Sequence, residues 1–346
     1  DLREFFDPSA ESALRQLIGG AIRTQAIYVA AKLGIADHLA LGPRHAGDLA
    51  QRANVHAPTL LRVLRYLVSI GVFVQLDDQR FALNRPAEHL QTAHPRSLRP
   101  SALRAGEGLW DIASRLLPAV ETGSTPYADV HSQTYFERMN ARGNDAEFGA
   151  RMSSSVAGLG DALARLDCIR DAKTIVDVGG GNGAILIAIL RALPHLHGVL
   201  FERPAMLEVA REVVRAAGME SRCDLIAGDF FERVPPGDVH LLSWILHDWD
   251  DERATQILRA CRDGERSSVV IVEVPLPERA ETRASESAAL TDPYSLDLQM
   301  LLLTGGRERT ETEYRHLFES AGYEWGGTAA LNSFRGASAM YAASKK

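Results

Sequence analysis

A run of closely spaced glycines is the first feature of the chain with chemical meaning. The stretch DVGGGNGA, Asp177 to Ala184, lies where an apolar run gives way to a helical pattern. Because glycine lacks a Cβ, Gly179 and Gly181 can adopt positive φ and let the backbone approach a ligand closely. The stretch also fits the G-x-G-x-x-A fingerprint, and Glu202, about 20 residues further on, could bind ribose hydroxyls. The motif therefore predicts a nucleotide-like cofactor and leaves a nicotinamide dinucleotide open.

Two later motifs place polar side chains after other apolar runs. GDFF, residues 228–231, offers the carboxylate of Asp229 and the ring of Phe230, against which an adenine could lie. SWILHDWDD places His247 after the next apolar run, and an imidazole with a pKa of about 6.5 can exchange a proton at neutral pH. An isolated histidine at a strand end is more often a satisfied polar group. The place of His247 beside a cofactor loop nevertheless favours a catalytic role.

The elements around these motifs alternate between strands and helices. From Lys173 onward, TIVDVG, GVLFE, CDLIAGD, VHLLSWI and SVVIVEV are typical of strands, and helical patterns cover 184–193, 205–217 and 251–261. This order predicts an α/β fold with a Rossmann-like, doubly wound and mostly parallel sheet. Such sheets bind ligands at the carboxyl ends of their strands, where both the glycine stretch and His247 lie.

The N-terminal part of the chain has a different pattern. Apolar residues recur at helical spacing from Ala13 to Leu39, shorter helical patterns cover 48–55 and 58–71, and VFVQLDDQRFAL is typical of a hairpin. Helices followed by a hairpin predict a winged helix. Its candidate recognition helix carries Arg62 and Arg65 on a mostly apolar body, which favours dimerisation or packing over DNA binding.

A segment with three prolines, RPAEHLQTAHPRSLRP at 85–100, predicts a domain boundary. We therefore expect a mostly helical, winged-helix-like dimerisation domain at 1–98 and a cofactor-binding domain at 99–346. Helical stretches follow the boundary at 102–117 and 146–166.

Composition and charge restrict the partners. The 346-residue chain is 46% hydrophobic, and its formal net charge of -7 argues against general affinity for nucleic-acid phosphates. No apolar run approaches the roughly 20 residues that span a bilayer, so we expect no membrane partner and a cytoplasmic protein. Cys168, Cys223 and Cys261 match no metal-ligand spacing and are expected to be reduced thiols.

The motifs together resemble those of the class I S-adenosylmethionine-dependent O-methyltransferases of small molecules. This group contains the plant caffeic acid and hydroxyindole enzymes and their bacterial secondary-metabolite relatives. The resemblance covers nearly the whole chain and implies that the glycine loop wraps S-adenosylmethionine. It also implies that Glu202 binds the ribose and that Asp229 and Phe230 meet the adenine. Many members have lysine near the methionyl carboxylate where Ser243 stands here, and Trp249 could stack on adenine or close the core.

The resemblance further implies a reaction, the methylation of a hydroxyl on an aromatic small molecule. In it, His247 of LHDW is the general base, flanked by Glu273 of VEVPLPE and Glu308 of GGRERT. A phenol with a pKa of about 10 is mostly protonated at neutral pH, so it needs a base before it attacks the methyl carbon. The glutamates would orient the imidazole and favour the imidazolium. Each has another interpretation, since Glu273 could cap its strand and Glu308 could cap the next helix, although Thr310 and Glu313 already form a capping box there.

Other expectations follow from the same resemblance. S-adenosylhomocysteine is the product, no metal is needed, and a homodimer forms through the N-terminal domain, where Ile18 and Ile22 need burial. The loop at 277–292 could be a mobile cover or a surface excursion. Helices at 102–166 and around 297–303 are expected to line the acceptor pocket, and the candidates are Trp110, Tyr135, Phe136, Phe148, Met152 and Met300.

Two alternative interpretations of the cofactor fold stay open at this point. Some relatives with this fold hydroxylate or decarboxylate their ligand, and the glycine motif by itself also fits an NAD-dependent oxidoreductase.

Overall fold

The computed structural model describes residues 8–141, 158–262, 267–280, 292–331 and 336–344. The chain divides into two compact units, Asp1–Ser114 and Arg115–Lys346. This division falls further along the chain than the proline-containing segment at 85–100. One reason is that the helix Arg99–Leu103 packs on the helix Gly20–Lys32, where Arg99 Nε donates a hydrogen bond to the carbonyl of Ala31 at 3.0 Å.

The first unit is a helical domain with a small antiparallel sheet. Its strands are β1 (Arg44–His45), β2 (Val74–Gln75) and β3 (Arg80–Ala82), in the order β1-β3-β2. The pair β2 and β3 confirms the predicted hairpin, whereas β1 is too short to leave a pattern in the sequence. The main helices are Pro8–Ile18, Gly20–Lys32, Ile35–His38, Ala46–Ala53 and Ala57–Ser69, and shorter ones cover Arg85–Glu88, Arg99–Leu103, Arg104–Gly108 and Trp110–Ala113.

Helical periodicity explains the core of this unit. In the helix Ala57–Ser69, the buried residues Leu60, Leu64 and Leu67 lie on one face, and Pro58 occupies the first turn. The first two helices also carry apolar residues that stay exposed: Leu17 and Ile18 keep 74% and 73% of their surface exposed, and Ile22 keeps 66%, although Ala26, Ala30 and Ala31 of the second helix are buried. Within the described residues of one chain, nothing covers this apolar face.

The second unit contains a seven-stranded sheet in the order β6-β5-β4-β7-β8-β10-β9. The strands are β4 (Thr174–Val178), β5 (His197–Glu202), β6 (Cys223–Ala227), β7 (Val239–Ser243), β8 (Ser268–Glu273), β9 (Tyr323–Ala330) and β10 (Ser338–Ser344). Strands β4 to β8 pair in parallel, and β10 is antiparallel to both β8 and β9. This confirms the predicted doubly wound, mostly parallel sheet. The strand order reverses between β4 and β7, so a crevice opens after these two strands.

Helices pack on both faces of this sheet over two apolar clusters. The helices of this unit for which the structure gives bounds are Leu116–Thr122, Tyr127–His131, Tyr135–Ala141, Asp167–Arg170, Ala184–Ala192, Pro204–Ala216, Asp251–Ala260, Pro293–Leu303 and Glu311–Ser320, with a short 3-10 turn at Leu246–Asp248. The helix predicted at 102–117 is broken by the π-turn Arg104–Gly108, and the one predicted at 146–166 lies largely outside the described residues. Every helix in the described ranges is too short or too polar to cross a bilayer.

The start of the helix Glu311–Ser320 confirms the predicted capping box. Thr310 accepts a hydrogen bond from the Glu313 N–H at 3.2 Å, and the Glu313 carboxylate accepts one from the Thr310 N–H at 2.8 Å. Two N–H groups that have no partner within the helix are thereby satisfied. Glu308, two residues earlier, is left free for another contact.

We predict that Thr310→Ala lowers the free energy of unfolding by about 1 kcal/mol, because it removes this cap. Urea denaturation measures the loss. Thr310→Ser keeps the hydroxyl and should match the unchanged protein, so equal stability of the Ala and Ser variants would contradict the prediction.

Candidate active site

The glycine stretch forms a left-handed turn between β4 and the helix Ala184–Ala192. Gly179, Gly181 and Gly183 have φ of 68°, 58° and 78°, a region that side chains other than glycine rarely adopt. A Cβ on Gly179 would lie 2.6 Å from Ile245 Cδ1, so the backbone packs tightly there. Around Gly181 the corresponding space holds no described atom within 4 Å. The turn thus presents one packed side and one open side.

Glu202 lies directly beside this turn. Its Oε2 accepts a hydrogen bond from the Gly181 N–H at 3.2 Å, and its Oε1 accepts one from the Arg203 N–H at 2.8 Å. The side chain of Glu202 is 11% exposed, so it is not fully enclosed by the protein. The structure therefore brings together two residues that the sequence assigned to one cofactor.

Asp177, the first residue of the motif, was not among the predicted site residues. Its side chain is fully buried beneath the glycine turn, and neither carboxylate oxygen has a hydrogen-bond partner in the described part of the chain. Burial, and to a lesser degree the charge of Glu202, raises the pKa of Asp177 to about 7. The position of Asp177 inside the glycine motif could have identified it as a site residue. No sequence pattern, however, predicts that a buried carboxylate lacks hydrogen-bond partners.

Aromatic rings gather next to the turn. A Cβ on Gly179 would lie 3.7 Å from an edge atom of Phe230, and Asp229 is exposed, its Oδ1 accepting a hydrogen bond from the Phe231 N–H at 2.8 Å. Trp249 stacks on Phe136 with ring centroids 5.2 Å apart and planes 12° apart. The rings of Phe231 and Trp249 are nearly perpendicular, with centroids 4.7 Å apart. One face of Trp249 is thus covered by protein, which favours the core interpretation of this residue.

His247 stands at the centre of a cluster of acids. It lies in the 3-10 turn after β7, and its Nδ1 is 2.8 Å from Glu308 Oε1 and 3.6 Å from Glu273 Oε2. Because a carboxylate only accepts, Nδ1 carries the hydrogen in the shorter contact. The side chains of Glu273 and Glu308 are 0% exposed, and that of His247 is 11% exposed. The structure therefore places the three predicted catalytic residues together, with Nε2 as the nitrogen left for a substrate.

A third acid, Asp248, was missed as a member of this cluster. Its Oδ1 lies 3.9 Å from His247 Nε2, and its side chain is 19% exposed. Its place in LHDW was a usable signal, since neighbouring residues in so tight a turn can face one another.

The charges around His247 decide its protonation. Burial lowers the pKa of the imidazole, but Glu273, the hydrogen bond to Glu308 and Asp248 outweigh burial and raise it to about 10. Burial raises the pKa of Glu273 to about 8 and that of Asp248 to about 6. We attribute the stable imidazolium chiefly to the short hydrogen bond with Glu308, because Glu273 itself tends to hold a proton near neutral pH. The surrounding acids therefore favour the protonated imidazole of His247.

Main-chain contacts hold Glu308 and His247 in register. The Glu308 N–H donates a hydrogen bond to Asp297 Oδ1 at 2.9 Å, and the Leu246 N–H donates one to Glu273 Oε1 at 2.9 Å. A Cβ on Gly306 would clash with the backbone of His247 and Asp248, so only glycine lets these segments touch. This close approach explains Gly306 of GGRERT, whereas Gly305 has a φ of 80°.

The remaining predicted residues are less closely tied to the cluster. Ser243, at the end of β7, has a buried hydroxyl with no hydrogen-bond partner among the described residues. Met300 is buried on the helix Pro293–Leu303, and Trp110 begins a short helix of the first unit. Phe148, Met152 and most of the loop at 277–292 lie outside the described residues. The donor atoms of His247, Glu273 and Glu308 lie within 4.8 Å of one another, a spacing that a metal also accepts, so the expected absence of a metal stays a prediction.

Comparison with known proteins establishes the family. Residues 15–92 match the O-methyltransferase dimerisation domain, and residues 114–324 match the O-methyltransferase domain. The chain belongs to the O-methyltransferase family. This confirms the resemblance and the expected enzyme class, and it decides against the nicotinamide interpretation of the glycine motif.

Relatives add chemical detail about the family. The chain is 37% identical to a phenazine O-methyltransferase of Lysobacter antibioticus over 316 residues, 90% of each protein. It is 34% identical to an aclacinomycin 10-hydroxylase of Streptomyces purpurascens, covering 88% of this chain and 82% of the relative. A solved O-methyltransferase of neocarzinostatin biosynthesis, in complex with S-adenosylmethionine and 2-hydroxy-5-methyl naphthoic acid, is 28% identical with a TM-score of 0.80, over 93% of this chain and 96% of that one.

We predict that Glu308→Gln lowers the pKa of His247, because it removes a negative charge and weakens the hydrogen bond that holds the imidazolium. Histidine-labelled protein, with the His247 signal assigned by its loss in His247→Gln, lets NMR follow the titration. In the unchanged protein the ring should stay protonated at pH 7 and lose its proton towards pH about 10. A ring that titrates at the ordinary value in the unchanged protein would show that the acids do not act on it as described.

Proposed function

We propose that this O-methyltransferase transfers the methyl group of S-adenosylmethionine to a hydroxyl of an aromatic small molecule, with His247 as the general base. The observation that supports this most is the hydrogen bond of 2.8 Å between His247 Nδ1 and Glu308 Oε1, in a turn that packs on the glycine stretch through Ile245. The relatives named for a phenazine and a naphthoic acid support an aromatic acceptor.

The residues around the glycine turn fit S-adenosylmethionine. Gly181 offers an open backbone face, the carboxylate of Glu202 fits ribose hydroxyls, and the ring of Phe230 lies beside Gly179. The partnerless hydroxyl of Ser243 could donate to a carboxylate, and Asp229 could bind the adenine amino group. When bound, the cofactor supplies a methyl group on a positively charged sulfur. The fit of Trp249 is poorer, because Phe136 already occupies one of its faces.

His247 can take the acceptor proton only through Nε2, since Nδ1 is committed to Glu308. An imidazolium accepts no proton, so the resting cation must lose its proton before each turnover. The same acids then favour the transfer itself, because they stabilise the imidazolium that forms when the hydroxyl oxygen attacks. Turnover should therefore rise with pH across the neutral range.

The acceptor side of the crevice is assigned to helices of the second unit. The helix Tyr135–Ala141 contributes Phe136, and the helix Pro293–Leu303 contributes Met300. A flat aromatic acceptor fits rings such as Phe136, since stacked and edge contacts between rings add to the burial of apolar surface. Asp297, on the same helix as Met300, fixes the backbone of Glu308, so this helix links the pocket wall to the base.

Hydroxylation is the second candidate, and the 34% identity to an aclacinomycin 10-hydroxylase favours it. The paired His247 and Glu308 argue for methyl transfer, since that reaction needs the hydroxyl proton removed. Mass spectrometry of the products from phenolic acceptors separates the two, because a methyl group and an oxygen atom add different masses. Hydroxylated product without S-adenosylhomocysteine would replace our proposal.

We predict that His247→Ala lowers kcat by about 10² or more and leaves the Kd for S-adenosylhomocysteine nearly unchanged, because a base acts mainly in the transition state. Steady-state kinetics and calorimetry measure the two quantities. Wild-type turnover in this variant would defeat the assignment of the base.

Glu202→Ala is the matched counterpart of that experiment. It should weaken S-adenosylhomocysteine binding, because the ribose hydroxyls lose their acceptors, while the rate at saturating cofactor falls much less than in His247→Ala. If both variants show the same pattern, one of the two roles is wrong.

We also propose that the protein is a homodimer that forms through the first two helices, whose apolar face is uncovered in a single chain. Leu17→Asp together with Ile18→Asp should shift sedimentation from dimer to monomer at micromolar concentration, because charges oppose burial of this face. The pair Leu41→Asp and Leu98→Asp, also exposed but outside these helices, serves as the control. A monomeric unchanged protein would contradict the proposal.

A further inference from the structure

We infer that Arg309 is a positioning residue for His247: its buried guanidinium fixes both ends of the turn that carries the imidazole. This inference rests on the proposed role of His247 as the base. Arg309 directly follows Glu308 in GGRERT, and its side chain is 0% exposed. The sequence motif gave Glu308 a role and Arg309 none.

The contacts of Arg309 bracket the catalytic turn. Its Nη1 donates to the carbonyl of Leu246 at 3.0 Å, and its Nη2 donates to the carbonyl of Trp249 at 2.8 Å. These carbonyls lie one residue before and two residues after His247. A guanidinium holds its N–H groups in a rigid planar fork, so one side chain fixes the spacing of the two carbonyls. Lysine has one nitrogen and cannot span them in the same way.

A charge pair makes the burial of Arg309 tolerable. Its Nε and Nη2 both contact Asp251 Oδ1 at 2.8 Å, and the side chain of Asp251 is 59% exposed. The Arg309 guanidinium is therefore paired with a solvent-exposed carboxylate, while its other N–H groups donate to the carbonyls of the turn. A buried charge without such a partner would be strongly unfavourable.

Adjacent residues hold opposite sides of the same turn. Glu308 binds the imidazole, Arg309 binds the main chain on both sides of it, and Gly306 touches the backbone of His247. A slip of this segment along the turn would break the imidazole contact and the carbonyl contacts together. Arg309 thus fixes the distance between Nδ1 and the Glu308 carboxylate, and through it the direction of Nε2.

The test uses Arg309→Lys in the full-length protein. We expect kcat to fall about 10-fold to 100-fold, as small misplacements of catalytic groups do, with the Kd for S-adenosylhomocysteine within about twofold of the unchanged protein. The rising limb of the pH–kcat profile should also move to lower pH, because a loosened contact with Glu308 holds the imidazolium proton less firmly.

Arg222→Lys is the matched control. The Arg222 guanidinium also binds main-chain carbonyls, those of Leu190, Leu193, Pro194 and Leu196, but none of them belongs to the catalytic turn. Its replacement should lower resistance to urea and leave both kcat of the folded protein and the pH limb unchanged. An Arg309→Lys variant that behaves in this way has a structural role only, and the inference fails.

A milder variant covers the case in which Arg309→Lys does not fold. Asp251→Asn keeps the guanidinium and removes its charged partner at the surface, so it should give a smaller fall in kcat with a pH limb shifted in the same direction. An unshifted limb in this variant counts against the inference. His247→Ala separates the two proposals: full activity there defeats the proposed function, whereas an inactive His247→Ala beside a normal Arg309→Lys defeats only the role of Arg309.

Discussion

A buried imidazole surrounded by acids is the constraint on which the rest of the catalytic domain depends. His247 makes its shortest contact, 2.8 Å, with Glu308, and Glu273 and Asp248 stand within 4 Å of its ring nitrogens. Such a ring keeps its orientation only if each acid is itself held. Glu273 is held by the Leu246 N–H, and the main chain of Glu308 is held by Asp297. The elements that supply these residues are therefore fixed relative to one another by polar contacts as well as by the apolar core.

The topology of the sheet explains how distant segments meet in this cluster. Strands β4 and β7 are neighbours although β5 and β6 lie between them in the chain, so the glycine turn and the turn of His247 emerge side by side. Strand β8 ends next to β7 and delivers Glu273. The GGRERT segment then returns from the helix Pro293–Leu303 and places Glu308 against the imidazole. The sheet thus determines where the loops meet, and the loops carry the polar side chains of the site.

Much of this arrangement could be predicted from the sequence, for identifiable reasons. Strands β4, β5, β6 and β8 are apolar runs that end at or next to glycine or charged residues, and the alternation of strands with helices indicates the sheet class. The capping box at Thr310 is a local pattern, and it is present as predicted. His247, Glu273 and Glu308 were found because each lies in a recognisable motif, and the structure brings their side chains together.

The residues that were missed act through contacts that no local pattern shows. Arg309 bonds to carbonyls that are about 60 positions away in the chain, and a carbonyl leaves no trace in the sequence. Phe136 and Trp249 were both candidates, but the stacking between them joins positions still further apart in the chain and shows in no local pattern. The partnerless carboxylate of Asp177 depends on burial by surrounding elements. The break of the predicted helix at 102–117 likewise follows from tertiary packing, since the Cα of Gly106 lies against the ring of Tyr28.

The tight packing of Gly179 against Ile245 has a consequence for redesign of the enzyme. Ile245 precedes His247 by two residues, and Gly179 opens the turn that we assign to the cofactor, so these two loops touch each other directly. If the proposed roles hold, a substitution at either position would disturb both the cofactor site and the orientation of His247. Attempts to broaden acceptor range should therefore leave this contact alone and vary the helices Tyr135–Ala141 and Pro293–Leu303 instead.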